Sequence, residues 1–415
     1  MTPHGEPGLL EAVLRATGSR DVDPVVACTR VAWSVVAEPG DAIAGGLVEG
    51  LGPAAAFEGV LGAVDDGIGG LLALCVEQGV AGTDDPTGYG RALTKAVERW
   101  RPRLAHADVG AVLAAADAVG ARLLLPDGPA WPRAVDDLGH HAPLVLWSRS
   151  SHGSVADWGD PPAVSVVGSR ANTVAGSEAA ADITSRTADA GCVVVSGGAY
   201  GIDATAHRVA IAAGATTVAV LAGGVDQLYP AGNVEMLRGV AQRGAVIAES
   251  PPGTRPSRWR FLARNRLIAA LGDVTVVVEA GARSGALNTA HHAGQLGRTV
   301  FAVPGAFSSA ASVGCHRLVA QGRAQLMVHP DEAAAAAVEH RGGEVALPSA
   351  TPLLVHDDPD VLRVLDALGR RSLSVDELAR RSGLSVADAT DALALAQIQG
   401  LTQHGVGGWS RTAAR

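Results

Sequence analysis

Lysine is all but missing: Lys95 is the only one among 33 basic residues. That absence removes whole classes of chemistry. A Walker-type phosphate loop needs G-K-[ST], its lysine reaching the phosphates, yet Lys95 sits in the helical polar stretch "LTKAVERW". A P-loop ATPase is not expected. A Schiff-base lysine is impossible in the central region, which has no lysine at all. Cysteine is also scarce. Cys28, Cys75, Cys192 and Cys315 are scattered and never in C-x-x-C spacing, which argues against disulfides and thiolate zinc sites and suits a reducing compartment. No apolar run reaches membrane-spanning length, and the start "MTPHGEPGLLEAVL" lacks the basic and apolar regions of a leader. The expected setting is the cytoplasm, with no membrane partner.

What remains is a globular chain of 415 residues, 47% hydrophobic and 18% charged, long enough for two or three domains. It is acidic, with formal net charge −9. Residues 1–105 show apolar residues at three- and four-residue spacing, broken by Gly and Pro, and predict a helical module. They hold 14 acidic and 8 basic side chains. "GLVEGLGPAA" has the look of a helix-hairpin-helix, which in so acidic a setting suits a helical interaction module (helix-hairpin-helix or SAM-like).

From 106 to 340 the pattern changes. Short β-rich runs such as "AVSVVG", "CVVVSG", "TTVAVLAG" and "VTVVVE" alternate with helical stretches. Runs without polar alternation suit strands buried on both faces. Strand–helix alternation predicts an α/β fold, a doubly wound and mostly parallel Rossmann-like sheet. Such sheets bind ligands beyond the carboxyl ends of their strands, at the switch point. Residues 341–357 have linker composition. Residues 358–415 predict three helices and a small wing, a winged helix with Gly383 at its turn. Its recognition-helix candidate, "SVADATDALALAQIQG", has two Asp and no Lys or Arg. Phosphate affinity needs positive charge, so a protein contact is expected there.

Three glycine-rich strand ends could meet an anion. "VVGSRANTVAG" offers Gly168, Ser169 and Arg170; "VVSGGAYGIDATAH" offers Ser196, Gly197, Gly198 and Tyr200; "EAGARSGALNTAHHA" offers Ser284 and Gly285. None is G-x-G-x-x-G. Asp203 and His207, at i and i+4, could be metal ligands or half of a catalytic pair, but no third partner stands at a telling spacing, so a structural pairing is favoured. Neither a metal nor a cofactor is expected. Between 255 and 266 lie five arginines, Arg255, Arg258, Arg260, Arg264 and Arg266, and no acid falls between Glu249 and Asp273. A solvated face would mix signs. Clustered arginine beside Trp259, Phe261 and Asn265 predicts a groove for a phosphate backbone.

These motifs together, with "AVLAGGVDQLYPAGN", "IAESPPG", "FLARNRLIAAL" and "VGCHRLVAQGRAQ", cover roughly 160–330 in order and resemble the DprA/Smf family of DNA-processing proteins. The resemblance implies an extended Rossmann-like domain, binding of single-stranded DNA, a homodimer, recruitment of RecA in recombination and natural transformation, and no catalytic residues. It places strand contacts on Gly168–Arg170, Ser196–Gly198 and Arg264–Arg266. The chain departs from the family at Tyr200, usually a basic residue, at Leu262, usually Pro, and at His316, usually Asn. Tyr200 could stack on a base instead of meeting a phosphate. The competing expectation is a nucleotide-phosphate-processing enzyme on a related fold, although "EAGARSGALNTA" lacks the P-G-G-x-G-T-x-x-E loop of those enzymes.

Overall fold

Valine builds the centre. In β3 (Ala163–Val167), β4 (Val193–Ser196), β5 (Thr217–Leu221), β6 (Ala245–Ala248) and β7 (Val274–Val277), every residue is buried. β-branched side chains fit a pleated surface covered on both sides. Four further strands complete one sheet: β1 (Arg122–Leu124), β2 (Leu146–Arg149), β8 (Thr299–Ala302) and β9 (Gln325–Leu326). In the computed structural model their order is β1-β2-β6-β5-β4-β3-β7-β8-β9. β3 to β9 run parallel, and β2 joins antiparallel to both β1 and β6. The two-residue β9 carried no apolar run and is not apparent in the sequence.

The structure describes all residues except 1–6, 20, 127, 152–155, 344–357, 369–371, 399, 406 and 413–415. The expected linker at 341–357 therefore lies, from 344 on, outside the described residues. The chain divides into two compact units, Met1–Val345 and Ala346–Arg415.

In the first unit, one sheet face packs Val164, Val166, Val194 and Val276 against helices Val174–Asp189, Ile202–Ala212 and Glu332–His340. The other face packs Val167, Val193, Val220 and Val277 against helices Arg258–Leu271, Ala286–Gln295 and Val313–Ala320. The N-terminal helices share a third cluster with the sheet, in which Trp33, Leu47, Leu93 and Trp100 are continuous with Ala219, Leu221, Val246 and Ala248. Trp33 meets Phe57 and Trp100 edge-on at 5.4 Å. Each large side chain so buried contributes about 1.5–3 kcal/mol. The "GLVEGLGPAA" segment forms helices Ala42–Leu51 and Pro53–Asp66, hinged at Gly52 with φ 77°, a value that favours glycine. Among the described residues, no single helix is long and apolar enough to cross a membrane.

The second unit has helices Pro359–Ala367, Val375–Ser382 and Val386–Ile398 and an antiparallel wing, Thr402–Gly405 with Gly408–Arg411. Val361, Leu378, Leu393 and Trp409 fill its core. Gly383 closes the middle helix in the left-handed conformation.

Candidate nucleic-acid interface

Strand order reverses at β3. Successive strands run outward on one side through β4, β5 and β6, and on the other through β7, β8 and β9. Loops leaving neighbouring strands part at such a point and open a crevice at the carboxyl ends. A cleft of about 540 Å³ lies there, bounded by residues 167–171, by 261–268 of the helix Arg258–Leu271, and by 281–289.

Its walls are stapled by backbone bonds. Ser169 N–H donates to the Glu279 carbonyl at 2.7 Å, and Ile202 N–H donates to the Ser169 carbonyl at 3.1 Å. The buried Glu279 carboxylate accepts from the Thr173 amide at 2.9 Å and the Thr173 hydroxyl at 2.8 Å. A Cβ on Gly168 would stand 2.6 Å from Ile202 Cγ1 and 3.0 Å from the Glu279 carbonyl, so only glycine lets these loops approach. Opposite, Asn265 Nδ2 donates to the Gly285 carbonyl and to Asn288 Oδ1, both at 3.3 Å.

The cleft is positively charged. Arg170, Arg264 and Arg283 line it, against one carboxylate, Asp203. Arg170 and Arg283 are exposed, whereas Arg264 is buried. The Arg170 guanidinium lies 4.9 Å from the centroid of the Phe261 ring and that of Arg264 5.9 Å from it, so one aromatic ring serves both cations. Arg264 donates to the Gly197 carbonyl at 2.8 Å and to the Val220 carbonyl. Burial draws its pKa down to about 10, with Asp203 opposing, and it remains a cation at neutral pH. Asp203 accepts from the amides of Gly197 at 3.2 Å and Ala199 at 3.4 Å. Burial pushes its carboxyl up, against Arg264 and those two amides. The arrangement can bind an anion through two exposed guanidiniums at the rim, above a buried one held by backbone carbonyls.

The residues singled out in the sequence separate into two groups. Gly168, Ser169, Arg170, Arg264, Asn265, Ser284 and Gly285 line the cleft together. The others stand outside its lining. Ser196 is fully buried, with its hydroxyl donating to the Val166 carbonyl at 2.7 Å. Gly197 and Gly198 are buried beneath the turn, Gly198 at φ 67°. Tyr200 is exposed, and its hydroxyl accepts from the Gly232 amide at 3.2 Å.

The arginine run is not one continuous face. Arg255 and Arg258 are exposed. Arg260 pairs with Glu38 at 3.0 Å. Arg266 is buried against Glu249 at 2.7 and 2.8 Å and donates to the His141 carbonyl at 2.8 Å. Position along the helix is the cause: residues 264–271 are all buried, enclosed by the sheet and by residues 133–141, whereas 258–263 are exposed or half-buried. Asp203 and His207 do not bond each other; His207 Nδ1 donates to the Thr217 hydroxyl at 2.8 Å, which in turn donates to the Val194 carbonyl at 2.9 Å. Two polar cleft residues, Arg283 and Thr289, escaped notice in the sequence. Arg283 stands directly before the Ser284-Gly285 helix mouth, which was the available signal. Thr289 gave none.

Comparison with known proteins agrees with this geometry. The family model for DNA recombination-mediator protein A matches residues 122–337, more than half of the chain. The chain belongs to the DprA/Smf family. The DprA winged helix domain matches residues 348–408. A putative DNA processing protein DprA of Mycobacterium tuberculosis is 42% identical over 305 residues, covering 70% of this chain and 77% of that one. DprA of Streptococcus pneumoniae is 40% identical over 183 residues, 44% of this chain and 63% of that one. The X-ray structure of the Streptococcus pneumoniae protein superimposes with a TM-score of 0.54 at 26% identity, covering 74% of this chain and 95% of that one.

Proposed function

We propose that this DprA-family protein binds single-stranded DNA in the cleft at the β3 switch point and promotes RecA loading on it in recombination and natural transformation, as a cytoplasmic homodimer acting without catalysis. The observation that carries the strand-binding part is the lining itself: three arginines, glycine-rich loops at two strand ends, and a single carboxylate already engaged by backbone amides. Guanidiniums match phosphate oxygens, and loops with no Cβ let a backbone come close. The exposed edge strand β9, with its Leu326 and the nearby Val328 open to solvent, supports self-association. Residues 1–105 and 358–415 are proposed as interaction modules. Acidic Asp388 and Asp391 on the exposed side of helix Val386–Ile398 suit a protein partner better than a duplex.

Fluorescence anisotropy of labelled oligo-dT against a matching duplex, across a salt series, tests this. The wild type should prefer the single strand, and Arg170→Ala/Arg283→Ala should lose most of the affinity while keeping its melting temperature. RecA ATPase on strand coated with single-strand-binding protein then tests loading. No strand binding, or an unaffected double variant, would remove the proposal and favour assays for nucleotide-phosphate hydrolysis.

A further inference from the structure

Aromatic residues are rare, 7 Trp, 3 Tyr and 4 Phe in the whole chain. Among the described residues the exposed ones are four: Tyr200, Tyr229, Trp259 and Phe307. Each follows a parallel strand: Tyr200 after β4, Tyr229 after β5, Trp259 after β6 and Phe307 after β8. All four therefore lie at the carboxyl end of the sheet, the end that carries the arginine cleft, whereas Trp33, Trp100, Trp131, Trp147 and Trp158 are buried. Burial is the ordinary fate of a large aromatic ring. Exposure confined to one end of the sheet is not explained by folding.

Phe307 is the extreme case, 95% exposed. Its loop is nevertheless well built. Ser309 N–H donates to the Ala306 carbonyl at 2.8 Å, and Ser312 N–H to the Ser309 carbonyl at 3.1 Å. His316 Nε2 bonds the Gly305 carbonyl at 3.2 Å. A Cβ on Gly305 would come within 2.0 Å of the Ser312 hydroxyl, so the loop closes tightly. The same loop abuts the cleft: a Cβ on Gly281, a cleft residue, would stand 3.6 Å from the Ala310 carbonyl. Phe307 is thus an uncovered ring on a tightly closed loop, and that loop abuts a residue of the cleft. On the other side, the Tyr229 ring lies 5.7 Å from Phe261, which underlies Arg170. From β5 to β8 is four strand spacings, about 19 Å.

We infer that Phe307 is a base-stacking residue, the outer end of an aromatic track that carries a single strand across the carboxyl end of the sheet from the Tyr229 side, through the arginine cleft, to the β8 loop. This rests on the strand-binding reading above and adds the path and the residue that ends it. Phosphates go to the cleft arginines, and bases beyond the cleft go to ring faces. Base–aromatic contacts tolerate any sequence because every base has a π-face.

The test is anisotropy with a length series of oligo-dT on the full chain, comparing wild type, Phe307→Ala, Phe307→Leu and Phe307→Trp. Phe307→Ala and Phe307→Leu should bind long strands about 5- to 150-fold more weakly, with the salt slope unchanged because no ionic contact is lost. The shortest strands, which fill only the cleft, should bind all four proteins alike, and Phe307→Trp should retain wild-type affinity. At 95% exposure the substitutions should leave the melting temperature unaltered. Long-strand affinity unaffected by Phe307→Ala would overturn the inference while leaving the cleft in place. Full affinity in Phe307→Leu would overturn stacking in favour of plain apolar contact. Failure of the wild type to bind any strand would remove the cleft reading and this inference with it.

Discussion

The exposed arginines at the rim of the cleft and the buried ones beneath it are the same residue type doing opposite work. Arg170 and Arg283 reach solvent and are available to a ligand. Arg266 is fully engaged with Glu249 and the His141 carbonyl, and Arg264 with two strand-end carbonyls. In the first pair the charge stays open to solvent; in the second it ties helix Arg258–Leu271 to the sheet and to residues 133–141. A buried pair is weak evidence of net stabilisation, but removing one partner leaves an uncompensated charge. Substitutions can therefore separate the two roles.

The largest effect should come from Arg266→Ala, which strands Glu249 and should cost about 3–5 kcal/mol, read by urea unfolding. A loss below about 1 kcal/mol would mean that Glu249 is solvated in solution and that the comparison fails. Next, Arg170→Ala and Arg283→Ala should each reduce the slope of log affinity against log salt by about 0.7, with stability intact. Arg264→Ala should alter both stability and affinity, because it shapes the cleft from below.

His207 gives a third handle. It is fully buried and its pKa is lowered to about 3, chiefly by burial and secondarily by Arg264. The unfolded chain binds a proton that the native state refuses between the ordinary value of 6.5 and about 3. Stability from this group is therefore complete above 6.5 and declines as pH falls through that window, by up to about 1.4 kcal/mol per pH unit. The difference in unfolding free energy between pH 7 and pH 5 should shrink in His207→Gln; an identical difference would show that other groups carry the acid sensitivity. The smallest effect should follow removal of residues 346–415. Arg380 and Arg381 are both paired with Glu377 and helix Val386–Ile398 has no cation, so strand affinity should stay within about twofold. A larger drop would move part of the interface onto the winged helix.

Much of this protein is legible in the chain. Valine-rich runs without polar alternation suit strands covered on both faces, and short β-rich runs mark eight of the nine strands in the sheet. Glycine-rich strand ends mark the loops of the cleft, and five of the residues singled out there meet Arg264 and Asn265 of the arginine run. Burial was not legible. Five arginines in twelve residues look alike in sequence, yet their fates depend on what packs around one helix, and Glu38 and Glu249 lie far from them along the chain. Local pattern determines which segments become strands and helices, because propensity and periodicity act over a few residues. Only the tertiary structure decides which part of a helix is enclosed and which carboxylate it meets, and for a charged side chain that decision separates a group open to solvent from a structural tie.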